Sequence, residues 1–210
     1  MNSLVVASHS DSNSLTHHIA RATVDALRAA GGTVEFADLA AEQFDPRFSE
    51  GDLHLYRGSG RTPNEVVAEQ NRIDRAEHLI LVFPVYWWSF PALLKGWIDR
   101  VFVNGWAYHY TPGGAFEKKL GRLTVHLVPV AGDDAASFAR HGIDSAFRSQ
   151  IERGIIEYCG ATVGATRILH ESETKSAEDL GVDVRELVAD LVARVGDAEG
   201  ALPRSSGSVR

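Results

Sequence analysis

Short apolar runs alternate with helix-period segments along nearly the whole chain, and this alternation restricts it to few folds. "SLVVAS" (3–8), "TVEFADL" (33–39), "HLILVF" (78–83), "LTVHLVPV" (123–130) and "TVGATRIL" (162–169) read as strands. Between the first two, Leu15, Ile19, Ala22, Ala26, Leu27 and Ala30 fall on one helical face, which Gly31-Gly32 ends. Thr62-Pro63-Asn64-Glu65 reads as a capping box opening a helix that runs to about Ala76. Ser89 reads as the cap of a helix with Pro91 at its start, in which Leu93, Trp97 and Val101 share a face with Leu94, Ile98 and Phe102. A fourth helix is predicted over 137–158 with Phe147, Ile151, Ile155 and Tyr158 inward, and a last one from Asp183 with Val184, Leu187, Val188, Leu191 and Val195 inward. Residues 42–60 lack periodicity and read as a long loop.

Strands alternating with helices build a parallel sheet covered on both faces, the α/β class. Five strands predict a flavodoxin-like sheet of order 2-1-3-4-5 in one domain spanning 1–200, followed by a small, polar tail, 201–210, expected to be mobile. Ligands of such sheets bind at the carboxyl ends of the strands, where the strand order reverses. Here that edge comprises residues 8–16, 84–91 and 129–138. A 210-residue chain that is 44% hydrophobic can bury a full core without disulfides or metal. Its one cysteine, Cys159, forms no intramolecular disulfide and sits at an apolar helix end, where packing explains it. A net charge of −7 argues against nucleic acid or anionic lipid as a partner. The chain shows no apolar run of about 18 residues, as a membrane-spanning helix needs, and no basic-flanked leader, so a cytoplasmic location is expected.

Each of the three loops admits two readings. "SHSDSNSLT" (8–16) has neither G-x-G-x-x-G nor G-x-x-x-x-G-K-[ST]. Its hydroxyls and the amides of a helix start suit a phosphate, and equally an ordinary cap. "FPVYWWSFP" (83–91) places Tyr86, Trp87 and Trp88 in succession. Pro84 is expected to end the hydrogen-bond ladder and free the amides of Val85 to Trp88. The aromatics are then either walls for a flat heteroaromatic ligand or cover for a core or dimer interface. "VPVAGDDAASF" (128–138) offers Gly132 for close backbone approach and two aspartates expected to face solvent, or is a plain turn. No G-x-S-x-G and no H-x-x-x-H pair is present, and His17 and His18 project to different sides of a helix, so no metal site is expected.

"VVAEQNRIDRAEHLILVFPVYWWSFPALLKGWIDRVFVNGWAYHY" (66–110), with its "FPxxWxxxPAxLKGWxxRVF" core, resembles the NAD(P)H:quinone oxidoreductases of flavodoxin-like fold. That family includes the DT-diaphorase, modulator of drug activity B and potassium-efflux ancillary types. "ASHS" followed by "SLT", "ADL…FDP" and "EYCG" extend the match from Val5 to about Gly160. The resemblance implies a non-covalent flavin, FMN or FAD, and NADPH or NADH as donor. By position, His9, Ser14, Leu15 and Thr16 would hold the ribityl chain and phosphate. Pro84, Val85, Tyr86, Trp87 and Trp88 would border the isoalloxazine, and Pro129, Val130, Ala131 and Gly132 match the family's Thr-Thr-Gly-Gly turn. Tyr108 and Tyr110, joined by Trp106, would reach a substrate pocket across a homodimer interface.

Two family residues near the flavin pyrimidine edge are replaced: Phe138 stands where the family has Tyr, and Asp144 where it has His. His141 is the candidate substitute, against its reading as a surface histidine; otherwise backbone amides carry the charge of the reduced ring. The implied activity is ping-pong, two-electron reduction of quinones or similar small acceptors, with the chemistry borne by the flavin. A regulatory flavoprotein docked on a glutathione-gated potassium efflux channel is the alternative. A flavodoxin-like one-electron carrier is a second, against which "WAYHY" (106–110) argues, because a carrier needs no nicotinamide pocket.

Overall fold

All seven residues of β3 (His78–Pro84) are buried, as the most apolar run in the chain should be, and the strand lies at the centre of a five-stranded sheet. The computed structural model describes residues 1–200, with side chains through Asp197; the tail 201–210 lies outside the described residues. The chain runs β1 (Asn2–Ala7), α1 (Leu15–Ala29), β2 (Thr33–Asp38), α2 (Glu50–Tyr56), α3 (Asn64–Asp74), β3, α4 (Ala92–Val101), β4 (Tyr108–His109), β5 (Glu117–Lys118), β6 (Thr124–Val130), α5 (Ala135–Arg140), α6 (Ile143–Phe147), a π-helix (Arg148–Glu157), β7 (Thr162–Thr166) and α7 (Ala177–Gly200).

The sheet order is β2-β1-β3-β6-β7 with every pair parallel, the expected 2-1-3-4-5 order once the two-residue hairpin β4–β5 is set aside. The period of two divides the core into two layers. Leu4, Val6, Leu79 and Leu81 face α3, α4 and the π-helix, while Val5, Ala7, Ile80 and Val82 face α1 and α7. Among the described residues no helix is long and apolar enough to cross a membrane.

Several local expectations give way to tertiary structure. Residues 42–60 contain α2, whose start is a capping box: Ser49 Oγ accepts from the Asp52 amide, and Asp52 Oδ2 accepts from the Ser49 amide. The box expected at Thr62 does not form; α3 begins after Pro63, and Glu65 accepts from Arg100 Nη2 at 2.6 Å instead. Ser89 does not cap α4, whose N-cap is Pro91 without a side-chain bond. The single helix expected over 137–158 breaks at Gly142, which takes φ +68°, and continues as the π-helix. A π-helix bonds each amide five residues back and turns more slowly than an α-helix, so the fully buried residue after Ile151 is Ile156, Ile155 is only partly buried, and Tyr158 is left exposed. The final helix starts at Ala177, six residues before Asp183, and its five expected inward residues are all buried.

The "KGWIDR" segment works as a pin. A Cβ at Gly96 would overlap the Pro46 backbone, so this glycine lets the loop before α2 lie directly on α4. One turn on, the Arg100 guanidinium is buried, donating to Asp52 Oδ2 at 2.7 Å, to the Asp45 carbonyl at 2.8 Å and to Glu65. Burial alone would lower the Arg100 pKa; the bonds to Asp52 and Glu65 outweigh it and raise it.

Candidate functional site

The carboxyl edge of the sheet brings the three predicted loops together. The Ser8 amide donates to the Val82 carbonyl, and the Val85 amide donates to the Val130 carbonyl. The ladder therefore runs one residue past Pro84, which pairs with Val130. Successive amides of a strand point to opposite sides. The donor missing at Pro84 faces the β1 side, where pairing has already ended at Val82, and Val85 resumes on the β6 side.

After Val85 the chain makes a four-residue turn closed by two bonds, Tyr86 N–H to Ser89 O at 3.2 Å and Ser89 N–H to Tyr86 O at 3.0 Å. Its central residues are Trp87 and Trp88, at φ +50° and +55°. Positive φ at both centres belongs to the type I′ turn, which normally takes Asn-Gly. Two adjacent tryptophans held there are strained, and such strain persists where the surroundings over-determine the backbone. Of the four amides expected to be free, Val85 and Tyr86 are thus occupied, while those of Trp87 and Trp88 make no hydrogen bond among the described residues. The turn lifts the indoles outward: Trp87 is 88% exposed, with Trp88 edge-on at 6.0 Å.

In the first loop Ser14 caps α1 by accepting from the His17 amide, while the Leu15 and Thr16 amides, free ends of the helix, find no partner among the described residues. His9 Nδ1 accepts from the Asp11 amide at 3.0 Å, and the residue is half-buried. The Ser8 hydroxyl is buried with no partner in the same loop. Sequence reasoning passed over His17. Its ring is buried, with Nδ1 3.1 Å from Ser14 Oγ and Nε2 2.8 Å from Asp38 Oδ2 at the end of β2. The available signals were Ser14-x-x-His17, the spacing of a capping box, and Asp38 at the same edge of the adjacent strand.

In the third loop Pro129 and Val130 lie inside β6, so only Ala131 and Gly132 belong to the turn. The Ala131 amide donates to the Leu169 carbonyl, and the Glu173 side chain lies over Gly132. Asp134 caps α5, and Asp133 is exposed. The Ser137 hydrogen bond, then the Asp134 amide, hold the Asp133 carboxyl below the usual carboxylate range. Phe138 is fully buried, packing with Ala131, Ile143 and Val85 beneath the loop, its ring 4.8 Å from His170. It props the edge rather than lining it. His141 and Asp144 flank the αL turn at Gly142; His141 is exposed and Asp144 is half-buried.

Among the described residues, no ring contact or hydrogen bond joins Trp106, Tyr108 or Tyr110 to these loops. Trp106 packs on Phe102 and donates to Asp74, at the end of α3 remote from the site edge. Tyr108 stacks on Phe116 and meets Tyr158 edge-on at 5.5 Å; burial raises its pKa. The Tyr110 main chain is clamped on both sides by the Asn104 amide, leaving its ring exposed. A groove of about 400 Å³ is lined by Ser89 and Phe90 before α4, by Ile98 of α4, and by Tyr108, Ile155 and Tyr158. Burial pushes the Cys159 thiol on its wall up to about 11, away from any nucleophilic role.

Comparison with known proteins agrees with this architecture. A family model described as a flavodoxin-like fold matches residues 1–191. A ribosyldihydronicotinamide dehydrogenase (quinone) of Pongo abelii is 29% identical over 198 residues, covering 84% of each chain. NAD(P)H dehydrogenase (quinone) 1 of Rattus norvegicus is 30% identical over 182 residues, 76% of this chain and 65% of its own length. The solved NAD(P)H:quinone oxidoreductase of Methanothermobacter marburgensis superposes with a TM-score of 0.82 at 23% identity, covering 90% of this chain and 96% of its own, a likeness of fold. The chain belongs to the NAD(P)H:quinone oxidoreductase family of flavodoxin-like fold.

Proposed function

We propose that the protein is a flavin-dependent NAD(P)H:quinone oxidoreductase that acts by ping-pong, two-electron transfer as a homodimer. The observation that carries this reading is the strained Tyr86–Ser89 turn, which sets two unpartnered amides and an exposed indole at the point where the strand order reverses. The residues present fit a flavin. The orphaned Ser8 hydroxyl and the open amides of Leu15 and Thr16 suit a phosphorylated side chain, with His9 beside them. Val85, Tyr86, Trp87 and Trp88 supply the border for a flat ring system, and the exposed Gly132 at the end of β6 offers an amide with no partner among the described residues.

When bound, the flavin supplies the centre that accepts and donates hydride. The protein orients and shields. Trp87 offers a flat face to the nicotinamide and then to the quinone, and one shared face makes the donor leave before the acceptor binds. With Phe138 and Asp144 in place of the family Tyr and His, the Gly132 backbone amide, which has no partner among the described residues, stabilises charge at the ring edge in place of a side-chain acid. Tyr108 and Tyr110 serve the site of the partner copy. The exposed aromatics Tyr56, Tyr110 and Tyr158 are assigned to that contact.

The test is an absorbance spectrum of the purified protein, mass analysis of any released flavin, and steady-state kinetics with NADH or NADPH and a soluble quinone. Bound FMN or FAD with parallel double-reciprocal lines is expected. A colourless protein that takes up neither flavin defeats the reading, and intersecting lines defeat the ping-pong order. Sedimentation distinguishes dimer from monomer.

A further inference from the structure

Ser14, the buried His17 and Asp38 form a part-buried chain of hydrogen bonds that starts at the amino end of α1 and ends on a carboxylate. We propose that His17 is a proton-linked positioning residue for the flavin phosphate, so that binding of the phosphorylated cofactor takes up one proton; this rests on the flavin reading above. An ionised carboxylate only accepts, so Asp38 assigns a proton to His17 Nε2. In the neutral ring Nδ1 is then the acceptor, and it takes the Ser14 hydroxyl proton across 3.1 Å. Ser14 Oγ also accepts from the His17 amide. In that state Ser14 has no proton left to offer an anion at the helix start.

A phosphate arriving there changes the balance. One proton passes from solvent to His17 Nδ1, Nδ1–H then donates to Ser14 Oγ, and the Ser14 proton turns to a phosphate oxygen. No heavy-atom bond forms or breaks. The hydroxyl ends with one donated and two accepted bonds, which is its full capacity. The imidazolium lies between two negative groups, Asp38 and the phosphate, in a buried position where charge-assisted bonds are strong.

Among the described residues, the charged and titratable groups around this chain are Asp38 from β2, His9 from the loop after β1, its ring 6.3 Å from that of His17, Asp11 of the same loop, whose carbonyl accepts from the Ser14 amide, and Glu42 from the turn after β2, which accepts from the Asp38 amide. The faces of β3 and α7 turned toward α1 contribute Ile80, Val82, Val184, Leu187 and Leu191, none of which titrates. The buried Ser8 hydroxyl without a partner marks the same loop as a place where a polar group is received.

The experiment titrates the flavin-free protein with FMN, FAD and riboflavin by fluorescence from pH 6.5 to 9. In that range the phosphate keeps nearly constant charge, because its second pKa is about 6. For the wild type, FMN or FAD affinity falls about tenfold with rising pH, the effect of one charge-assisted bond, while riboflavin affinity stays flat. His17→Gln flattens the phosphate-dependent slope. Asp38→Asn, which keeps the ring but removes its counter-charge, flattens it too and covers the case in which the first variant does not fold. Parallel FMN and riboflavin profiles, or an unchanged slope in either variant, overturn the proposal while leaving the flavin reading intact. Failure of all three flavins to bind at any pH overturns both.

Discussion

Replacing Trp87 by asparagine should weaken function about fivefold at almost no cost in stability, unlike removal of a tryptophan from the core. Trp87 is held at φ +50°, a region that costs an L-residue about 1–2 kcal/mol. Asparagine tolerates that region and is the preferred first central residue of a type I′ turn, so the exchange relieves about 0.5–1 kcal/mol. Against this stands lost burial. With 88% of the residue exposed, only about 30 Å² of a side chain of about 250 Å² is covered, or about 0.7 kcal/mol. The two nearly cancel, and urea unfolding of the flavin-free variant should give a stability within about 1 kcal/mol of the wild type at unchanged slope.

Trp97 makes the control. It is fully buried, and its indole nitrogen donates to Glu69 at 2.8 Å, so Trp97→Ala should cost about 3–5 kcal/mol. Function should follow the opposite order. Loss of the Trp87 indole removes about 1 kcal/mol of aromatic contact, about fivefold in flavin or nicotinamide affinity by fluorescence titration, with a matching fall in NAD(P)H oxidation. A cost above about 2 kcal/mol for Trp87→Asn would show that the turn is not strained as argued. Unchanged flavin affinity together with unchanged turnover would remove Trp87 from the site.

Three further outcomes follow from the packing. Gly96→Ala should lower stability by about 1–3 kcal/mol, read as a lower urea midpoint, because its methyl group must displace the Pro46 loop. Arg100→Met should cost about 3–5 kcal/mol by leaving the Asp52 carboxylate buried and unpaired, and a second change, Asp52→Asn, should restore part of the loss. Burial, reinforced by His78, lowers the His126 pKa from 6.5 to about 4, so the unfolded chain binds a proton that the folded chain excludes. Its stabilising contribution is therefore complete above about pH 6.5 and is lost as pH falls to about 4, on the order of 3 kcal/mol in acid titrations of unfolding. His126→Gln should flatten that part of the profile.

The layers of the core were legible because they depend on short periods: two along β3, and close to four along α7, whose five inward residues all lie where the pattern puts them. The π-helix was not, because a wider turn leaves no mark on an apolar pattern until the register has already slipped from Ile155 to Ile156. Capping was misread at Thr62 and missed at Ser49, since both carry a plausible box. Arg100 decides between them: it draws Glu65 away from one and holds Asp52 in the other.

The functional edge divides in the same way. Its location follows from strand order, which sequence alternation dictates, and the YWW triplet marks it by composition. What that triplet does there depends on two dihedral angles that only the closed Tyr86–Ser89 turn imposes. The expectation that Pro84 would free the amides after it treated the strand as isolated. In the sheet, the missing donor points to the side where β1 has already stopped, and the next amide belongs to β6. The amides that remain open are those of the two strained tryptophans. Strain, open donors and exposed aromatic surface therefore coincide at two residues, although each has a separate physical origin. His17 shows the converse: its partners, Ser14 and Asp38, lie 3 and 21 residues away, and only the parallel pairing of β1 with β2 carries the end of β2 to the amino end of α1.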